Sequence, residues 1–186
     1  MDPIPFATPA DWSAWLEAHH ASAREVWVKL YRKGSGTASI TWEEAVIEAL
    51  AWGWIDGVKR TGGHEHWLQR FSPRKPRSNW SQKNRAHAEN LIAEGRMTAA
   101  GQAQVDAARA DGRWDGAYSG SKGAEMPADF LAALETNPAA KATYATFNAQ
   151  NRYAIYYRLT TAKRPETRAK RFAGYLAMLE RGETFH

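Results

Sequence analysis

Residues 25–60 read EVWVKLYRKGSGTASITWEEAVIEALAWGWIDGVKR, and their periodicity changes twice. Val26, Val28 and Leu30 alternate with Trp27, Lys29 and Tyr31, the period of a half-buried strand. Gly34-Ser35-Gly36 ends it as a turn. Thr41-Trp42-Glu43-Glu44 is a capping box: the Thr41 hydroxyl suits the Glu44 amide, and the Glu44 carboxylate suits the Thr41 amide. Trp42, Val46, Ala49, Leu50 and Gly53 then fall on one helical face. Trp54–Arg60 resumes as a strand. Strand, helix and strand in so short a span predict an α+β fold.

Downstream, Glu65–Phe71 reads as a strand returning around Thr61-Gly62-Gly63. The expected sheet is therefore small, antiparallel and three-stranded, with one helix crossing between the first and second strands. Upstream, Thr8-Pro9-Ala10-Asp11 has the cap, proline and acid of a helix start, with the helix running to about His20. From Ser78 the pattern turns helical, with Trp80, Asn84, Ala88 and Leu91 on one face. Gly95 stops that helix, and Thr98 caps another that ends at Gly112. Gly116–Gly123 (GAYSGSKG) is a loop. Helices then start near Pro127, Pro138 (behind an Asn137 cap), Ala149 and Pro165, the last striped by Phe172, Tyr175, Leu176 and Leu179. The expected organisation is an α+β domain over 1–115, a Gly/Ser loop over 116–126, and an all-helical portion over 127–186 packed on the first.

Composition excludes more than it selects. Cysteine is zero, which removes disulfides, thiol nucleophiles and cysteine-bound metals. No apolar run reaches the roughly 18 residues of a membrane helix, so no membrane insertion is expected. The start, MDPIPFATPADW, has no basic region or apolar core of a signal peptide, so the expected compartment is the cytoplasm. No GxGxxG, GxxxxGK[ST], GxSxG or HExxH occurs. No catalytic residue, metal or cofactor is assigned. All nine tryptophans lie between Trp12 and Trp114. Net charge is +5, but residues 58–96 carry +6 and residues 152–181 another +6, leaving −7 elsewhere. Two basic segments on an acidic body point to an anionic partner or to internal pairing.

The segment 70–85 is the leading candidate site. Arg70, Arg74, Lys75, Arg77, Lys83 and Arg85 supply six cations, and Ser78 and Asn79 add neutral donors. Phe71 and Trp80 offer rings for stacking, and Pro73 and Pro76 stiffen the loop. A helix N-terminus behind them favours an anion. Arginine gives planar bidentate donors for phosphate or carboxylate. The expected partner is an acidic protein, a phosphate-bearing ligand or nucleic acid. The alternative is that Ser78 caps the helix, Trp80 packs, and the arginines pair with acids. A second candidate is a polar pocket of Glu43, Asp56, Arg70, Trp80 and Asn84, which would serve a small-molecule sensor or an enzyme. His64 and His66 share a strand face without a third ligand. Arg168, near a helix start, needs a carboxylate or an anion beside it.

Six strings together carry a resemblance: TWEEA (41–45), GWIDG (53–57), QRFSPRKPRSNWSQKN (69–84), LIAEGRMTAAG (91–101), DGRW (111–114) and AKRPETRAKR (162–171). With them the chain resembles the bacterial YdeI/OmpD-associated family over about residues 12–181. The resemblance implies a YjbR/CyaY-like N-terminal half and an OmpD-associated helical segment from about Pro127. It implies a role in bacteriocin, antimicrobial-peptide and stress tolerance, and it implies no reaction. The name also implies a porin partner, which is not carried over to a chain lacking an export signal. The functional expectation is a non-enzymatic binder of an acidic or phosphate-bearing partner. A protein-interaction module built on the C-terminal helices is a third alternative.

Overall fold

The computed structural model describes residues 2–185, and the chain falls into two units, divided between Asp115 and Gly116. The first holds β1 (Ile4–Pro5), α1 (Pro9–His19), β2 (Val26–Tyr31), α2 (Trp42–Ala51), β3 (Trp54–Thr61), β4 (His66–Pro73), α3 (Gln82–Ala93) and α4 (Ala99–Ala110). The second holds α5 (Ala128–Glu135), α6 (Pro138–Ala145), α7 (Ala149–Thr160) and α8 (Pro165–Glu180). The fold is α+β.

The sheet departs from the expected three antiparallel strands. It has four, in the order β1-β2-β4-β3, and β1 pairs parallel to β2. With two residues β1 has no period to read. The β3–β4 hairpin inserts β4 between β2 and β3, antiparallel to both. The crossover helix α2 thus links two strands that run the same way but do not touch.

Register explains the core. Val26 pairs with Phe71, Val28 with Gln69 and Leu30 with Trp67, so these side chains share one face. Val26, Val28, Leu30 and Phe71 are almost completely buried. Helix α1 seals them with Trp12, whose ring centroid lies 5.4 Å from that of Phe71. The Trp12 Nε1–H donates to the Ala45 carbonyl of α2 at 3.0 Å, so this large indole is both packed and satisfied. Capping boxes at Thr8 and Thr41 start α1 and α2.

Helix α4 comes unusually close to α2. The Thr98 hydroxyl caps α4 and donates to the Ala51 carbonyl at 2.7 Å. A Cβ at Gly101 would overlap the Ala51 carbonyl oxygen and Met97 Sδ. Gly53, at φ +73°, admits the Ala100 carbonyl to within 2.8 Å of where its Cβ would stand.

Two local expectations need correction. Helix α3 starts at Gln82 behind the cap Ser81, so Ser78 is no cap and Trp80 precedes the helix. Trp80 is nonetheless buried, packed edge-on against Trp114 at 5.0 Å. Trp42 is 38% exposed rather than inward, because the first turn of α2 projects past the core. Val58 is 56% exposed and does not share the Trp54 face, because a bulge interrupts the ladder between Asp56 and Lys59.

In the second unit Phe130, Leu134, Ala140, Phe147, Ile155, Leu159 and Leu179 form the core. Asn137 and Asn148 cap α6 and α7. Arg168 meets Asp129, in the first turn of α5, at 2.8 Å. That carboxylate neutralises a cation placed beside the positive end of α8. Among the described residues no helix is long and apolar enough to cross a membrane.

Candidate functional site

The segment 70–85 does not form one cradle. Arg74 turns inward and is 6% exposed. Its guanidinium carbon sits 3.8 Å from the Trp80 ring centroid, and its Nη2 donates to the Asn79 carbonyl at 3.0 Å. The Ser78 carbonyl is taken by Arg113 Nη1 at 2.8 Å. Lys83 pairs with Glu43 at 2.8 Å. Arg85 reaches the Trp114 carbonyl at 3.3 Å and Glu89 at 3.7 Å. Arg70 reaches Glu25 at 3.4 Å. Lys75 and Arg77 remain exposed, Arg77 with φ +66°. Phe71 is wholly buried and has no face to offer a ligand.

The five residues expected to line one pocket are also separated. Glu43 sits with Lys83 and His87 between α2 and α3, where the Lys83 ammonium holds its carboxyl below the usual range. Trp80 lies beneath Arg74. Asn84 is half-buried, and its backbone N–H donates to the Ser81 hydroxyl at 3.1 Å. Arg70, opposite Trp27, points to the far side of the sheet from Asp56, which pairs with Phe71. The expected Glu43–Asp56–Arg70–Asn84 network is therefore divided by the sheet itself.

The strands place a different site. Beside the first turn of α2 the sheet leaves open space around Trp67. Three adjoining cavities of about 360, 450 and 560 Å³ open there, and all three share Trp67. Register makes the floor: Arg32 continues the ladder with its N–H on the Glu65 carbonyl at 2.7 Å, and Thr61 pairs with Trp67 and Lys59 with Gln69. Arg32 stands 5.7 Å over the Trp67 ring. Trp42 forms the wall on the helix side, and the turn 34–37 rims the largest cavity. The basin thus combines two indoles with the cations Arg32 and Lys59, a composition suited to a flat ring bearing an anionic group.

Gln69 supports this floor. It is 4% exposed, and its Nε2 donates to the Gly57 carbonyl at 2.8 Å. The β3 bulge removes ladder partners from that stretch, and the buried amide supplies one instead. A glycine within WIDGVKR is a sequence signal for such a bulge. It would have turned Lys59 onto the Trp67 side. The alternation of Trp67 and Gln69 with Phe71 is equally legible in the sequence and sets the Trp67 and Phe71 rings on one face.

Residues 4–104, more than half of the chain, match the family model described as Domain of unknown function (DUF8412). The chain belongs to that family. The match holds the whole sheet, so the basin lies within the DUF8412 domain. It does not support the expectation of a YjbR/CyaY-like N-terminal half. Residues 123–182 match the family described as Bacteriocin-protection, YdeI or OmpD-Associated. No curated protein and no solved structure matches the chain.

One acid of the DUF8412 domain faces the basin under tension. Burial pushes the Asp56 carboxyl above its ordinary value, against the Trp42 indole N–H that donates to it at 3.3 Å and the field of Arg74. A raised folded-state value means that the stabilising contribution is fully present below the ordinary carboxylate range. It is lost as pH rises through the raised value and Asp56 ionises. Asp56→Asn keeps an acceptor for Trp42 and cannot ionise. Thermal unfolding should show the variant melting higher than the native protein at neutral pH, with the gap closing under acid. A gap that does not change with pH would remove burial of the charge as its cause.

Proposed function

We propose that the DUF8412 domain is a non-catalytic binding module for a small anionic ligand with a flat ring, held in the Trp67 basin. What supports this is the convergence of three cavities on one indole with cations at their rim. The ring would lie against Trp67 or Trp42, the phosphate or carboxylate would meet Arg32 and Lys59, and Asp56 would accept from a ring or amino N–H. Nucleoside monophosphates have all three features. The match of residues 123–182 to a bacteriocin-protection family supports antimicrobial-peptide tolerance as the process served.

Calorimetric titration with nucleoside monophosphates, the parent nucleosides and inorganic phosphate tests the reading. The native protein should bind the monophosphates best. Trp67→Ala should weaken binding about tenfold, since stacking on an aromatic side chain contributes roughly 1–3 kcal/mol. Arg32→Ala should erase the preference for monophosphate over nucleoside. Binding unchanged in both variants, or none in the native protein, would reject the basin.

Asp56 favours a second reading, since a carboxyl raised by burial beside a cavity is a candidate proton donor. Such a role predicts turnover of a bound ligand, lost in Asp56→Asn with affinity retained.

A further inference from the structure

The other face of the same sheet lies away from α1 and α2. Alternation sends Trp27, Lys29 and Tyr31 of β2 to it, with His66, Leu68 and Arg70 opposite them on β4. Arg60 joins from β3 by its pairing with Leu68. Every one of these residues is half-buried or exposed, whereas the face under α1 and α2 holds the fully buried ones.

The face is aromatic and cationic together. The Arg60 guanidinium lies 4.3 Å over the Trp27 ring and is itself exposed, so its outer plane is presented outward. The Tyr31 and His66 rings stand 5.5 Å apart. Trp27 and Tyr31 are four residues apart on one strand, so the two platforms are about 13 Å apart. The Arg70 guanidinium spreads over Gly57, where a Cβ would stand 3.0 Å from Nε. Of the cations Lys29, Arg60 and Arg70, Arg70 pairs with a carboxylate, that of Glu25. A small ligand would fill only part of such a strip.

We propose that this open face binds single-stranded nucleic acid. Unpaired bases would stack on the Arg60–Trp27 and Tyr31–His66 platforms, and the phosphates would meet Lys29 and Arg70. A duplex keeps its base faces stacked on one another and has none to offer these rings. An acidic protein would use the cations and leave the rings idle.

The test uses the full chain, with a labelled oligothymidylate of about 12 nucleotides, within the site sizes typical of such modules. Arg60 and Tyr31 also border the basin, so both are left intact. Native protein should bind at low salt and prefer the single strand to its duplex and to polyglutamate. Lys29→Ala with Arg70→Ala should flatten the slope of log affinity against log salt by about 0.7 for each cation. Trp27→Ala should weaken binding about tenfold. If that variant melts early, Glu25→Gln decides, because freeing Arg70 should tighten binding, an effect that loss of folding cannot mimic. Trp67→Ala should leave oligonucleotide binding unchanged, which separates this face from the basin. No binding at low salt, equal affinity for duplex or polyglutamate, or an unaltered Lys29/Arg70 double variant would overturn the proposal. A loss confined to Trp67→Ala would assign the nucleic acid to the basin instead.

Discussion

Arg74→Ala should destabilise the first unit by about 3.5–5 kcal/mol in denaturant unfolding. Two losses combine. A desolvated cation over an indole contributes about 2 kcal/mol, and a charge-assisted hydrogen bond about 1.5–3 kcal/mol. The residue is 6% exposed, packed on Trp80 at 3.8 Å and bonded to the Asn79 carbonyl, so neither contact is replaced by water. Lys75→Ala, one residue on and exposed, should change stability by no more than about 0.5 kcal/mol. Arg74→Lys keeps the charge but loses the flat guanidinium and should fall between them. Equal stability of the Arg74 and Lys75 variants would mean that Arg74 faces solvent.

The second large effect runs against helix propensity. Alanine in a helix interior is favoured over glycine by about 1 kcal/mol, yet Gly101→Ala should destabilise by about 2 kcal/mol. The added methyl would collide with the Ala51 carbonyl oxygen, which is backbone and cannot rotate away, and with Met97 Sδ. Relief requires α4 to move off α2, which breaks the Thr98 hydroxyl bond to that same carbonyl at 2.7 Å. The same substitution at Gly174 in α8 meets nothing within 4 Å and should stabilise the second unit. Calorimetric unfolding of the two variants should therefore shift in opposite directions. A stabilised Gly101→Ala protein would show that the two helices have room to separate.

These cases mark where reading the sequence succeeds. The alternation of Val26, Val28 and Leu30, the capping box at Thr41, and the caps Thr98 and Asn137 are set by neighbours within four residues, and each appears as expected. Arg74 is different. Its inward turn depends on Trp80 and on a loop held by Arg113, 35 residues from Ser78. A run of six cations looks like one patch until the partners are known. Glu25, Glu43 and Glu89 come from three other parts of the chain and draw the cations apart. The strand order was hidden for a similar reason: a helix between two strands says that they run the same way, not that a third lies between them. The whole basin is not legible in the sequence because its residues converge only after the β3 bulge resets the register.

The confinement of every tryptophan to the first unit has an optical consequence. Emission excited at the red edge of protein absorbance comes from that unit alone, while the second, with only tyrosine and phenylalanine, stays dark. Circular dichroism sees the helices of both. Followed together through a melt, the two signals separate if the units unfold independently and coincide if they unfold as one, without any label being added. Trp67 in the basin and Trp27 on the open sheet face lie within the reporting set, so a ligand stacking on either surface would announce itself by quenching.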